Sequence, residues 1–182
     1  MSELRVVTLC TGNAARSVMA GIMLEQLSAT KGPALEVRTA GTHVIEGQPM
    51  SQRVRLALHQ LDALELEGSF SHRSHQLTDA DCAAADLIVA MEADHVAYVR
   101  RTHPEAAART ATLRRLVASL EPGLEARSAL RALGLGDVDL AEDVDVLDPA
   151  GGQQPTYDAC AVELLELCRD LLVRLGGAAS RP

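Results

Sequence analysis

Val6-Val7-Thr8-Leu9-Cys10-Thr11-Gly12-Asn13-Ala14-Ala15-Arg16-Ser17 is the stretch on which the reading of the chain turns. Its first four residues are apolar or β-branched and suit a buried strand. After Ser17 the apolar residues Met19, Ile22, Met23 and Leu27 recur at helical spacing. Strand, tight loop and helix N-terminus therefore follow one another. The backbone N–H groups of such a loop converge, and the helix dipole adds positive potential, so an anion is expected to bind there. Cys10, at the base of the loop, faces those N–H groups and the Arg16 charge, which favour a thiolate. A thiolate beneath a bound oxyanion is a nucleophile directed at phosphorus or arsenic. Most cysteines at strand ends are inert core residues. The combination with Gly12, Asn13, Arg16 and Ser17 argues for catalysis here. Arg16 offers a planar fork of donors to three equatorial oxygens, which a Lys does not match. Ser17 can hydrogen-bond the thiolate, cap the helix, or do both. Gly12 permits positive φ and Asn13 tolerates it, as a tight loop needs.

Outward from the loop, Lys31-Gly32-Pro33 stops the helix, and residues 35–40 alternate like a second strand that ends at Gly41. Strand, helix and strand within this length make a right-handed crossover with parallel strands. Residues 42–49 form a loop, and Ser51 caps a helix expected to reach about residue 61. Thr78 or Asp79 caps a short helix through Cys82 to Ala85. Leu87-Ile88-Val89-Ala90 is the clearest buried strand after the first, and a helix over residues 92–102 precedes Pro104. Residues 105–140 read as helices with a short or absent strand. The last helix spans residues 157–175. Its Cys160 and Cys168 share an apolar face and read as core. Residues 176–182 are expected to fray. Residues 1–182 thus form one α/β domain with helices on both faces of a parallel sheet. Ligands bind such sheets at the carboxyl ends of the strands, where Cys10 lies.

Composition narrows the function. The chain has 182 residues, 47% of them hydrophobic but only 2% aromatic, so its core is built from Ala, Leu and Val. A net charge of −8 argues against nucleic-acid and anionic-membrane partners. The four cysteines form no C-x-x-C pair and no zinc spacing. The acidic stretch 137–148 lacks the glycine a calcium loop requires. No metal and no cofactor are expected. The N-terminus lacks the apolar core of a signal peptide, and no run approaches ~18 apolar residues. A cytoplasmic protein with reduced thiols fits this pattern.

Transfer of a phosphoryl group to a thiolate also needs a general acid. Asp148 is a candidate because Pro149 and Gly151-Gly152 set its loop apart, with Asp143 and Asp145 as alternatives. By composition His72 and His75 are ordinary hydrogen-bonding histidines.

Cys10-Thr11-Gly12-Asn13-Ala14-Ala15-Arg16-Ser17 resembles the signature of the low-molecular-weight protein tyrosine phosphatases and the related thioredoxin-coupled arsenate reductases. Thr39-Ala40-Gly41-Thr42, Gly47-Gln48-Pro49-Met50, Ser71-His72-Arg73-Ser74-His75-Gln76-Leu77-Thr78, Asp86-Leu87-Ile88-Val89-Ala90-Met91 and Asp148-Pro149 match that family in order. The resemblance implies a three-layer sandwich with a four-stranded parallel sheet and helices on both faces. It implies a phosphocysteine intermediate on Cys10, transition-state binding by Arg16 and protonation by Asp148. Thr11, Gly12, Asn13, Ala14, Ala15 and Ser17 would then cradle the phosphate, supported by Thr39 and His72. The implied partner is a phosphorylated protein, nominally at phosphotyrosine, or a small phosphate ester.

Several positions depart from the family pattern. Ala15 stands where the family often has a second cysteine, so no disulfide switch with Cys10 is expected. Val18 replaces a common proline. Ala150 and Gly151 replace the aromatics that usually follow Asp-Pro, and His43, Val44 and Ile45 stand in the loop after Gly41. The walls that a phenyl ring would stack on are missing. The alternatives are a phosphatase for a small non-protein ester, an arsenate reductase using an external thiol, and a non-catalytic phosphate-binding protein.

Overall fold

The structure, a computed structural model, describes residues 3–64, 66, 71–141 and 145–176. Four strands, β1 (Leu4–Cys10), β2 (Leu35–Gly41), β3 (Leu87–Ala90) and β4 (Thr110–Thr112), form one sheet in the order β2-β1-β3-β4. Every pairing is parallel, with Cys10 opposite Gly41 and Leu9 opposite both Ala40 and Ala90. The helices are α1 (Arg16–Lys31), α2 (Gln52–His59), α3 (Asp79–Ala84), α4 (Ala93–Thr102), α5 (Leu113–Ser119), α6 (Ala126–Ala132) and α7 (Gln154–Arg174). No described helix is long and apolar enough to cross a membrane.

The period-2 alternation of β1 divides the core into two. Leu4, Val6 and Cys10 face the larger cluster, with Met19 and Met23 of α1, Leu113 and Leu116 of α5, and Leu164 and Leu171 of α7. Val7 and Leu9 face the smaller one, with Cys82 of α3 and Val99 of α4. Helices therefore cover both faces, and β1 is buried on each, which explains its unbroken apolar run. Cys160 and Cys168 lie in the larger cluster.

Two contacts fix α1 against the sheet. The Thr8 hydroxyl, fully buried, donates to the Ser17 carbonyl at 2.7 Å. A Cβ on Gly21 would stand 2.5 Å from Thr39 Cγ2 and 3.2 Å from Thr8 Oγ1, so only glycine allows the helix this close.

In the region 105–140, read as helices with a short or absent strand, the structure has the short strand. Thr110-Ala111-Thr112 is a true strand, wholly buried at the sheet edge. Three residues are too few for a periodic signal, and pairing with β3 supplies what local propensity does not. Helix α2 ends at His59, where a turn from Leu61 N–H to the Leu58 carbonyl takes over. Helix α7 begins at Gln154, because Pro155 fits the first turn of a helix. Residues 177–182, expected to fray, lie outside the described residues.

Candidate active site

The loop from Cys10 to Arg16 sits at the carboxyl end of β1 and is bracketed by the ends of β2 and β3. From the β2 side, Thr42 N–H donates to the Cys10 carbonyl at 3.0 Å and His43 N–H to the Thr11 carbonyl at 2.9 Å. A Cβ on Gly41 would lie 2.5 Å from the Thr11 carbonyl oxygen, so this approach also requires glycine. Asn13, with φ 48°, is the one non-glycine residue with positive φ among those described. Gly12, which permits positive φ, does not take it. Asn13 is suited to it because its short polar side chain is fully engaged. Its Nδ2 donates to Ser17 Oγ at 3.0 Å, and its Oδ1 accepts from His75 N–H at 2.9 Å. Its carbonyl accepts from His72 Nε2 at 2.8 Å. A carbonyl can only accept, so His72 carries its proton on Nε2. Burial lowers the His72 pKa and keeps the ring neutral.

Cys10 Sγ lies 2.9 Å from Ser17 Oγ, and both residues are buried. Because Ser17 Oγ accepts from Asn13, its own hydrogen is left to point at sulfur. A thiolate is the form that gains from that donor. Ser17 is not the helix cap. Ala15 holds that position and brings no side-chain acceptor, which leaves the first-turn N–H groups of α1 to an oxyanion.

Arg16 is 1% exposed, a buried cation that needs partners. Its Nη1 donates to the Glu92 carboxylate and to the Val146 carbonyl, the latter at 2.8 Å. Its Nη2 lies 3.0 Å from Asp148 Oδ2. Asp148 is held on the other oxygen by Ala150 N–H at 3.1 Å, and its side chain is 42% exposed. Asp148 thus stands at the mouth of the loop, beside the guanidinium and open to solvent. Asp145 is occupied otherwise, since its Oδ1 accepts from Ala93 N–H at the start of α4. Val146 N–H donates to the Met91 carbonyl and ties this segment to the end of β3. Asp143 lies outside the described residues.

Thr39 is not brought to the loop. Its methyl group faces Gly21, and no hydrogen bond joins it to the loop among the described residues. Ala14 and Ala15 are half-buried parts of the loop backbone.

Two residues that the sequence reading passed over belong to the site. Glu92 bridges Arg16 and His95, its Oε2 lying 3.3 Å from His95 Nε2. His95 reaches the loop, with Nε2 2.9 Å from Thr11 Oγ1. Burial first, then the Arg16 charge, pushes the His95 pKa down to about 4. Their signal in sequence was position alone, just past the carboxyl end of β3. Burial pushes the thiols of Cys82 and Cys160 up to about 11 and about 12, and raises that of Cys168 as well. One trio among the described residues, Cys82, His103 and Glu105, brings metal-ligating atoms within 4.8 Å of one another, and none of the three belongs to the loop or its partners.

The Cys10 sulfur, the loop backbone, the buried Arg16 guanidinium and the Asp148 carboxylate are thus gathered in one place. The family model described as low molecular weight phosphotyrosine protein phosphatase matches residues 5–180. The chain belongs to that family of metal-independent cysteine phosphatases. It is similar to a protein-arginine-phosphatase of Geobacillus stearothermophilus, 29% identical over 171 residues, which are 94% of this chain and 95% of that one. The solved structure named YwlE arginine phosphatase from that organism has TM-score 0.74 at 29% identity, covering 94% of this chain and 92% of the other. A low molecular weight protein tyrosine phosphatase from T. tengcongensis has TM-score 0.74 at 28% identity, covering 93% and 97%.

Proposed function

We propose that the chain removes the phosphoryl group from a phosphorylated side chain of a protein, by way of phosphocysteine on Cys10. The observation that carries this reading is the convergence of Ser17 Oγ on Cys10 Sγ at 2.9 Å with Arg16 and Asp148 3.0 Å apart above it. In the first step Cys10 sulfur attacks phosphorus and the bond to the leaving atom breaks. Asp148, protonated, gives that atom its proton. Arg16 and the loop N–H groups hold the equatorial oxygens as charge spreads over them. In the second step Asp148, now ionised, takes a proton from water, the water oxygen attacks phosphorus, and the P–S bond breaks. The Ser17 hydroxyl stabilises the departing thiolate. Thr11, Gly12, Asn13, Ala14 and Ala15 supply the backbone of the cradle, and His72 holds it from behind.

For the substrate, phosphoarginine is favoured over phosphotyrosine. The residues after Asp148-Pro149 are Ala150 and Gly151, so this wall offers no ring for a phenyl group to stack on. A guanidinium leaving group instead presents N–H donors, which suit the carboxylates of Asp148 and Glu92. One relative that matches over 94% of this chain is itself named a protein-arginine-phosphatase. Arsenate reduction through an internal relay is disfavoured, because Cys82 is fully buried and its thiol is pushed up to about 11. The four cysteines are free thiols, which supports a reducing compartment, the cytoplasm.

The test is turnover of p-nitrophenyl phosphate, a phosphotyrosine peptide and an arginine-phosphorylated protein, with EDTA present. The expected result is hydrolysis of all three, with the highest kcat/KM on phosphoarginine and none in Cys10→Ser. No turnover by the wild type, or undiminished activity in Cys10→Ser, refutes the reading.

A further inference from the structure

We infer that His95 is a positioning residue that holds the Thr11 hydroxyl at the rim of the loop as a hydrogen-bond partner for the leaving-group side of the substrate. The inference rests on the hydrolytic reading above.

Thr11 directly follows the nucleophile and is exposed, whereas Cys10 and Asn13 beside it are buried. Its carbonyl is taken by His43 N–H, which fixes its backbone. Its hydroxyl oxygen lies 2.9 Å from Nε2 of His95, a residue only 3% exposed. The tautomer of His95 follows from the other ring nitrogen. Nδ1 lies 3.1 Å from the backbone N–H of Glu92, and a backbone N–H only donates. Nδ1 is therefore the bare nitrogen, and the proton is on Nε2. Nε2–H then donates to Thr11 Oγ1, and burial keeps the ring neutral so that this arrangement persists.

A hydroxyl that accepts one hydrogen bond keeps its own hydrogen and a second lone pair. Among the described residues only His95 is bonded to the Thr11 hydroxyl. It can therefore donate to or accept from a substrate group at the mouth, and it suits both an ester oxygen and a guanidinium N–H. The same carboxylate that holds Arg16 also reaches His95, since one Glu92 oxygen accepts from Arg16 Nη1 and the other lies 3.3 Å from His95 Nε2. The guanidinium that grips the phosphoryl group and the hydroxyl at the rim are thus held in register by one carboxylate.

His95 also closes the capping box of α4 with Glu92, so its loss alone would not separate positioning from helix stability. Thr11→Val separates them, because it removes the hydroxyl and leaves His95 and the capping box in place. Its kcat/KM on an arginine-phosphorylated protein is expected to fall about fivefold to tenfold, the effect of one hydrogen bond. Thr11→Ser should recover most of it. The affinity for orthovanadate, which has no leaving group, should be unchanged in Thr11→Val. His95→Ala should lose a similar factor, and the double variant should lose no more than the worse single one. Wild-type kcat/KM in Thr11→Val, an equal loss of vanadate affinity, or fully additive losses would each overturn the inference while leaving the phosphatase reading intact. A wild-type protein that hydrolyses no substrate overturns both.

Discussion

Acidification from pH 7 to pH 4 should cost this fold about 3 kcal/mol through His95 alone. The ring is 3% exposed, and its pKa drops from 6.5 to about 4 on folding. Burial is the larger cause and the Arg16 guanidinium the next, while Asp145 and Asp148 pull weakly the other way. Above pH 6.5 the ring is neutral in both the folded and the unfolded chain, and the full stability is present. Between 6.5 and about 4 the unfolded chain takes up a proton that the folded one refuses, so stability falls with falling pH. Below about 4 both forms are protonated and the loss levels off. A difference of about two and a half pH units at about 1.4 kcal/mol each gives about 3 kcal/mol. The assay is urea unfolding followed by far-ultraviolet circular dichroism at half-unit steps of pH, on the wild type and His95→Gln. Other titrating groups are common to both and cancel in the difference. His95→Gln is expected to be less stable at pH 7, but its stability should fall by about 3 kcal/mol less on going to pH 4. Parallel pH profiles for the two proteins would refute the claim that a neutral His95 is built into the folded state.

Arg16→Lys should lower kcat/KM by about 10²–10³, because an ammonium group cannot reproduce the planar fork at developing charge; steady-state kinetics on p-nitrophenyl phosphate measures it. Asp148→Asn should slow hydrolysis by about 10² or more for poor leaving groups and far less for p-nitrophenolate, which leaves without a proton. A series of aryl phosphates of rising leaving-group basicity gives the slope. Iodoacetate at pH 7 should label Cys10 alone, since burial pushes the Cys82 and Cys160 thiols up to about 11 and about 12 and raises Cys168 too. Mass spectrometry of the digested protein identifies the labelled cysteine, and added phosphate should slow the reaction.

The parts of the site legible in sequence were those encoded locally. Cys10 through Ser17 lie on one strand-loop-helix unit, and their spacing alone places them around a point. The parallel architecture was equally plain, because β1, α1 and β2 are long and cleanly punctuated. What was not legible depends on which strands are neighbours. Glu92 and Arg16 stand 76 residues apart and meet only because β3 pairs with β1. In sequence, Glu92 and His95 look like the ordinary start of an exposed helix. Thr39 misled for the complementary reason. The resemblance put it beside the loop, but strand alternation turns it toward α1, opposite Thr8. Gly12 and Asn13 were interchangeable carriers of positive φ in sequence. Three hydrogen bonds from the surrounding segments decide for Asn13. A short strand within residues 105–140 was allowed for, but its place at residues 110–112 was hidden by its brevity.

Gly21 has a consequence beyond packing. It lies five residues into α1 from Arg16, a distance of about 7.5 Å along the helix. Any side chain there must lift the helix from Thr39 and Thr8. The helix is a rigid rod whose first residue is the guanidinium, so lifting it at Gly21 swings its tip out of alignment with Glu92 and Asp148. Gly21 is the fulcrum of a lever, and the aim of the phosphate-gripping arm is set by a residue that carries no functional group at all.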